Sequence, residues 1–585
     1  MGHHFLLVEG VNLYANIYDT DQLSVIRGSS FLYKDAITHI QDQFAACLEP
    51  VSTGASSGLF HLKKEAVEPI EEVAQQAKRC LREHPQYRHL TFGVEYCLAT
   101  SLKTAKEQLW TQLRFSQLQN LTLTPDWQGK DDDTFGEKPC ELQGTRIVSQ
   151  MPAKRIQGKE RHLSSSVLSR WRDGKVQRHQ FYRKLIDSEL MERLKDYDFS
   201  EDINTLCADP NYPLDENGKP SEFDPETPVM YPKLAGKMAV VYIDGNQFGK
   251  RQREFIDHYK ATHEGIKLEL EVAAQRAFDN AIKGLRNQFL QQEMVIHLIK
   301  EEKLTDTSPL GQRRHNQRRK ILRLETLLWG GDEMLLVMPA WKGVDFLQRF
   351  FAFDWKLDGV EKPLTHAAGI VFCQAKTPIR IIQQLARNLA DRVKEEKDSA
   401  ENNIGRTRDG WDYMVLESID YPTTNDLDDY FKTRYPNGLD KKRPHGLPAI
   451  PEWQEIRKQL QTVLEERHLP RRKLYHVLQA LRQYGIATTE RTWEQLVKLK
   501  DGELQDDKQV SAQEREEHRL YEVSEFQLWL KGDGNDDWPA LAKRCFGLDI
   551  NNPAERAWAW IHAVELWDYL APKPSQAITE QEAAA

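Results

Sequence analysis

Three carboxylates in this chain stand where carboxylates can do chemistry. Asp332 and Glu333 follow Gly330-Gly331 in the run RLETLLWGGDEMLLVMP, from Arg323 to Pro339. Apolar residues lead up to Trp329, two glycines break the run, the two acids follow, and a second apolar run begins. That is the pattern of a tight β-hairpin with its acids at the tip. Adjacent carboxylates offer hard oxygen ligands to Mg²⁺ or Mn²⁺, and glycines in the turn let a phosphate chain approach the backbone. The third acid, Asp244, ends the apolar run of AVVYIDGNQFGK, Ala239 to Lys250, and Gly245-Asn246 follows at once. A buried strand there delivers a carboxylate to its C-terminal end, ahead of a long helical stretch. Each motif also has a plainer reading, as a hairpin turn and as a strand-ending turn.

Two acid-bearing strand ends on either side of a helix form the palm arrangement of nucleotidyl transferases and cyclases. In that arrangement two metals ~4 Å apart activate a 3′-hydroxyl and stabilise the leaving pyrophosphate. The pair YIDGNQFG and WGGDEMLLVMP resembles the second palm domain of the large subunit of type III CRISPR effector complexes, within the wider superfamily of GGDEF cyclases. The resemblance implies a nucleotidyl transferase that makes cyclic oligoadenylates from ATP in antiviral defence. It implies Asp244, Asp332 and Glu333 as catalytic and metal-binding residues, with Gly245, Asn246, Phe248, Gly330 and Gly331 around the nucleotide. It also implies crRNA or target RNA and effector subunits as partners.

The passage LTHAAGIVF (364 to 372) and AKTPIRIIQQLARNLADRVKEEK (375 to 397) resembles the same family: a strand, then a helix entered through Pro378. Its apolar face is Ile382, Leu385, Leu389 and Val393. In GGDEF relatives a lysine near the end of this helix meets the triphosphate, which makes Lys394 and Lys397 the positional candidates, although no AK dipeptide stands there. Many CRISPR members carry Asp where this chain has Glu333, which is closer to the GGDEF form. A catalytically silent scaffold for RNA or partner subunits and a diguanylate cyclase are the alternatives.

The frame recurs near the start. Phe5 to Val8 is a short apolar strand followed by Glu9-Gly10-Val11-Asn12-Leu13, with Glu9 where Asp244 sits in the other copy. In VSTGASSGLFHL, Val51 to Leu62, Gly54-Ala55-Ser56-Ser57 falls where Gly330-Gly331-Asp332-Glu333 stands. Two hydroxyls cannot hold Mg²⁺ as two carboxylates do, so this first copy reads as structural. Asp19 to Ala36 resembles the segment after the first strand of the family's degenerate first palm. Pro69 to Arg82 has helical spacing, and His89 to Ala99 reads as a strand.

The expected architecture is α+β, with two ferredoxin-like palm domains and a helical C-terminal domain. The expected boundaries are 1–121 for the degenerate first palm, 122–232 for an inter-palm region and linker, 233–424 for the second palm, 425–572 for the helical domain and 573–585 for a disordered tail. Cys140 opens CELQG, so Gln143 stands where the family's zinc motif would have its second cysteine, and no zinc is expected. Ser164 to Tyr182 is basic and aromatic and reads as a solvated helix–loop, with RNA or partner contact as the alternative. Gly311 to Arg323, with six cationic side chains, could bind RNA or triphosphate, or be a plain surface loop. Gly410 to Tyr421 is expected as an edge strand, and Asn425 to Leu447 as a linker. Trp558, Trp560 and Trp567 are expected in a helical core.

At 585 residues the chain is too long for one core. Its 80 Lys+Arg against 89 Asp+Glu give a net charge of −9, so RNA contact must come from local patches. The seven scattered cysteines form no CxxC pair, and no apolar stretch suffices for a membrane span or signal peptide. A cytoplasmic protein is expected. With no adjacent His-Asp dipeptide, the nuclease domain frequent in the family is expected to be absent.

Overall fold

The computed structural model describes residues 2–119, 138–149, 152–156, 159–185, 197–200, 202–209, 229–291, 304–305, 318–395, 408–417, 426–434, 446–450, 452–462 and 537–570, with a few single positions besides. It is a mixed α+β chain built on two larger sheets. The first unit runs β1 (His3–Gly10), α1 (Leu13–Ile17), α2 (Leu23–Gln43), β2 (Leu48–Thr53), β3 (Ser57–Leu62), α3 (Ile70–Glu83), β4 (Phe92–Ala99), α4 (Leu102–Gln119). Its strands lie in the order β2-β3-β1-β4, antiparallel throughout. Helix α3 shows why the periodicity is legible: Ile70, Val73, Ala74, Ala77 and Leu81 are its buried stripe. Glu71 and Glu72 in the first turn and Arg82 in the last complement its dipole.

Between the units come β5 (Lys154–Ile156), β6 (Lys159–Arg161), α5 (Ser165–Leu185), β7 (Tyr197–Phe199) and α6 (Ile203–Cys207). Helix α5 corrects the expectation of a solvated helix–loop, because it packs directly onto α2. A Cβ on Gly28 would stand 1.8 Å from the Arg170 carbonyl oxygen, and one on Gly174 1.8 Å from that of Ser24. Only glycine at both places lets the two backbones approach so closely. Arg170, itself buried, pairs with Asp19 at 2.7 Å.

The second unit contains β8 (Lys237–Asn246), α7 (Phe248–Thr262), α8 (Lys267–Phe289), β9 (Leu304–Thr305), β10 (Arg318–Leu322), β11 (Glu325–Gly330), β12 (Glu333–Pro339), α9 (Gly343–Ala352), β13 (Thr365–Gln374), α10 (Ile379–Glu395), β14 (Gly410–Val415), α11 (Leu427–Arg434) and β15 (Leu447–Pro448). Its sheet runs β11-β12-β8-β13-β14-β15, so its first four places repeat the order of the first unit. Strand β14 is parallel to β13 and is flanked outside by β15, so the expected edge strand is interior. The expected linker between 425 and 447 supplies α11 and β15. The C-terminal region contributes α12 (Trp453–Gln461), α13 (Asp537–Phe546), α14 (Pro553–Glu565) and α15 (Trp567–Leu570). Trp558, Trp560 and Trp567 are buried in a core that these helices share with α9 and one face of the second sheet, whereas α13 escaped the sequence reading. The sequence also offers helices over 471–484, 493–500 and 514–531; of these only Tyr475, Leu478 and Gln479 are among the described residues, all three helical and Leu478 buried, and the tail lies outside them.

Side chains of β8 alternate between two cores. Ala239, Val241 and Ile243 join the core with α9 and the C-terminal helices. Val240 and Tyr242 join the core with α10 and with α2 and α3 of the first unit. Covering both faces explains the near-continuous apolar run. Helix α8 crosses to the first unit, where Leu268 and Val272 pack with Phe5, Leu7, Val51 and Leu59, and Arg276 donates to the Pro50 carbonyl at 2.9 Å.

The repeat extends to single hydrogen bonds. Glu9 pairs in register with Ser57, and Asp244 with Glu333. Gly10 N–H donates to the Ser56 carbonyl at 2.7 Å, and Gly245 N–H to that of Asp332 at 3.2 Å. Register slips at Pro50/Ser52 in one hairpin and Thr326/Leu328 in the other. Asn12 and Gln247 are both left-handed, at φ 53° and 52°.

Candidate functional site

Asp244 and Glu333 lie opposite each other on β8 and β12, and their strand alternation turns both toward α10. Asp332 occupies the turn beside them. Helix α10 is anchored by buried Ile382, Leu385, Leu389 and Val393. Arg387, Asp391 and Lys394, four and three residues apart, therefore line the face toward the acids. Lys394 Nζ stands 2.5 Å from Asp244 Oδ2 and donates to the Gly245 carbonyl at 2.9 Å. Arg387 reaches Glu333 more loosely, at 3.9 Å, with its guanidinium 5.8 Å from the Tyr242 ring centroid. Being half exposed, that second pair adds little stability.

The group is short of positive charge. Burial raises the Asp332 carboxyl above its usual range, and the Asp244 charge raises it further. Burial raises Glu333 also, with Arg387 opposing and the Asp244 and Asp332 charges adding to the shift. Asp391 is raised chiefly by burial. Desolvated like charges disfavour their own ionisation, and a further cation would relieve them.

Two glycines here are required by space. A Cβ on Gly245 would lie 2.1 Å from the Phe248 ring, and one on Gly330 2.3 Å from the Ala55 methyl. Gly331 is required by conformation, with φ +52° and open space beside it. Asn246 and Phe248 are turned into the fold. The Asn246 amide donates to the Arg408 carbonyl at 3.1 Å, and the Phe248 ring covers Gly245 and lies 5.7 Å from that of His366. Lys397 and most of the Gly311 to Arg323 run lie outside the described residues. Arg323 itself is buried, donating to the Leu206 and Ala208 carbonyls, and is no part of a basic surface.

Among the described residues no three His, Cys, Asp or Glu side chains converge as a ready-made metal cage. Mg²⁺ ordinarily takes one or two carboxylates and completes its shell with water and substrate phosphates. The oxygen donors and the excess negative charge of Asp244, Asp332 and Glu333 fit that kind of site, and the Lys394 ammonium marks where a cation is held. A cleft of about 820 Å³ lined by Arg349, Phe353, Lys356 and Trp453 contains none of these acids.

No protein-family model matches the chain, and no curated protein matches it. Solved structures show a loose likeness. A chain of the type III-B Cmr-beta complex in its apo state has 10% identity and a TM-score of 0.39, over 81% of this chain and 74% of that one. A chain of the Csm1–Csm4 cassette in complex with cA4 has 12% identity and a TM-score of 0.43, over 97% and 70%. The same cassette with pppApApA gives 13% and 0.44, over 97% and 69%. These neighbours are large subunits of type III CRISPR complexes. Likeness at this level carries no functional argument, which rests instead on the residues.

The sequence reading missed a clamp that holds the hairpin. Buried Arg27 of α2 donates through Nε to Glu325 Oε1 at 2.5 Å and through Nη2 to Oε2, and its Nη1 donates to the Gly174 carbonyl at 2.7 Å. The Tyr182 hydroxyl meets Thr326 Oγ1 at 2.8 Å. Helices α2 and α5 thus grip the first two residues of β11. A carboxylate beginning an otherwise apolar strand was the available signal. Arg387 was missed because one arginine on a polar helix face looks like any other. No helix among the described residues is long and apolar enough to cross a membrane.

Proposed function

We propose that the chain is a nucleotidyl transferase of the type III CRISPR large-subunit kind, with two ferredoxin-like palm domains, joining ATP into cyclic or linear oligoadenylates. The observation that carries the reading is the asymmetry of the repeat. Two units share strand order, register and turn geometry, yet the places held by Asp332 and Glu333 in the second are Ser56 and Ser57 in the first. A hairpin carboxylate pair in only one of two like frames, with Glu9 alone left in the other, fits a working site beside a structural copy.

Asp244, Asp332 and Glu333 would hold Mg²⁺, which when bound neutralises phosphate charge and lowers the pKa of a ribose hydroxyl. The open side of Gly331 gives a triphosphate room to approach the turn. Lys394, held at Asp244 in the free protein, would turn its charge to the phosphates as a cation takes its place. Arg387 stands at the outer edge to orient Glu333. The fixed β8–β12 register keeps Asp244 and Glu333 at one spacing, so little reorganisation is needed on binding.

The closed Lys394–Asp244 pair favours a second reading, a catalytically silent scaffold for RNA or partner subunits. The deciding experiment incubates the purified protein with Mg²⁺ or Mn²⁺ and each labelled nucleoside triphosphate, with and without RNA, beside Asp332→Ala/Glu333→Ala. Oligoadenylate made by the parent and lost in the variant establishes the transferase. No product and no nucleotide binding leaves the scaffold.

A further inference from the structure

Arg286 of α8 is only 8% exposed, yet its Nε and Nη1 meet no hydrogen-bond acceptor among the described residues. Its guanidinium lies 5.9 Å from the Trp329 ring centroid, and Trp329 faces the core on the side of the hairpin away from α10. Arg286 therefore approaches Asp332 from the side opposite Lys394. Burying a guanidinium with two of its donor nitrogens unfilled is costly, so a retained one calls for an acceptor that arrives from outside.

Other cations gather around it. Burial pushes the Lys34 ammonium of α2 down to about 8, helped by the charges of Lys283, Arg286 and Lys184 and opposed by that of Asp35. Burial lowers Arg286 to about 10, with the Asp332 and Asp279 charges opposing. The facing acids are Asp35, Asp279 and Asp332, against Lys34, Lys184, Lys283 and Arg286. Beyond Gly284, between Lys283 and Arg286, the space is open. Lys34 belongs to the first unit and Lys283 and Arg286 to the second, so the cluster exists only where the two meet.

We propose that Arg286, with Lys34 and Lys283, forms a subsite for the phosphate chain of a nucleoside triphosphate seated against Asp332. The guanidinium offers directed donors to phosphate oxygens, and the lysines supply point charges around them. The identity of the ligand rests on reading the acids as a nucleotide site; the buried guanidinium with its Nε and Nη1 unfilled stands independently of it.

The test titrates inorganic tripolyphosphate into the full chain by calorimetry, in EDTA and without divalent cation. Binding by the parent is expected to weaken at least tenfold in Arg286→Met and severalfold in Lys34→Met/Lys283→Met, while Lys78→Met, at an exposed lysine of α3, leaves it unchanged. Without ligand, Arg286→Met is expected to melt close to the parent, because relief of the guanidinium's burial is offset by the loss of a countercharge to Asp332 and Asp279. Should that variant fail to fold, the double lysine variant carries the test. Parent-like tripolyphosphate binding in both overturns the subsite, as does no binding by the parent. Equal losses for 5′-hydroxyl RNA and for tripolyphosphate would make it a backbone reader and overturn it also. Tripolyphosphate binding lost in Arg286→Met, without turnover of any nucleotide by the parent, keeps the phosphate subsite and removes the transferase.

Discussion

The Ala55 methyl fills the space that a side chain at Gly330 would need, with only 2.3 Å between it and an ideal Cβ there. One hairpin tip of the repeat is thus seated against the other. Gly330→Ala should destabilise the chain by about 1–3 kcal/mol through overpacking and shift the turn that carries Asp332. Ala55→Gly in the same chain should recover much of that loss. Chemical denaturation of the two single variants and the double variant checks the coupling, and strict additivity would count against the contact.

The ammonium of Lys394 sits where a metal would compete for Asp244. Lys394→Met should lower the melting temperature at neutral pH in EDTA, since Asp244 then joins two carboxylates already short of countercharge. Added Mg²⁺ should restore more stability to this variant than it adds to the parent. Thermal melts across a Mg²⁺ titration read the difference, and equal gains would mean that lysine and metal do not compete.

The raised carboxyls of Asp332 and Glu333 set a pH dependence with a definite sign. An acid whose pKa is higher folded than unfolded favours folding while protonated, and that advantage is lost as pH rises through the folded pKa. Both therefore weaken the metal-free protein at neutral pH. Asp332→Asn should raise the melting temperature in EDTA at pH 7–8, by a few degrees if the relief is about 1 kcal/mol. The gain should shrink toward pH 4, where the parent carboxyls take up protons. A constant gain across that range would contradict the electrostatic cause.

The Arg27–Glu325 pair is buried on both sides and ties α2 to the hairpin strand. Removing one partner, as in Arg27→Met, should cost about 3–5 kcal/mol by stranding the other charge. Arg27→Met/Glu325→Leu should lose much less, because no lone charge remains. A double-mutant cycle by denaturation measures this, and a double variant as unstable as the single one would remove the charge argument.

The legibility of this chain follows the range of the forces involved. The strand ending at Asp244, the hairpin carrying Asp332 and Glu333, and α10 with its Ile382–Val393 stripe are set by turn chemistry and local periodicity. Such signals act over a few residues and survive in sequence. The repeated frame around Glu9 was legible for the same reason, and its depth appears in the matching bulges and left-handed residues. The partnerships of Lys394 with Asp244 and of Arg27 with Glu325 bridge long sequence separations, and nothing local foretells them.

Segments whose surroundings decide their character were the ones misread. Helix α5 looked solvated because its basic residues outnumber its apolar ones, yet Gly174 against Gly28 brings it into close packing on α2. Arg323 looked like part of a basic surface, yet carbonyls of α6 and the residue after it take its donors inside the protein. By itself, the sequence determined which residues can do chemistry and which local elements bear them. Tertiary structure alone decided which charges meet, because burial and countercharge belong to the folded surroundings and not to any residue taken singly.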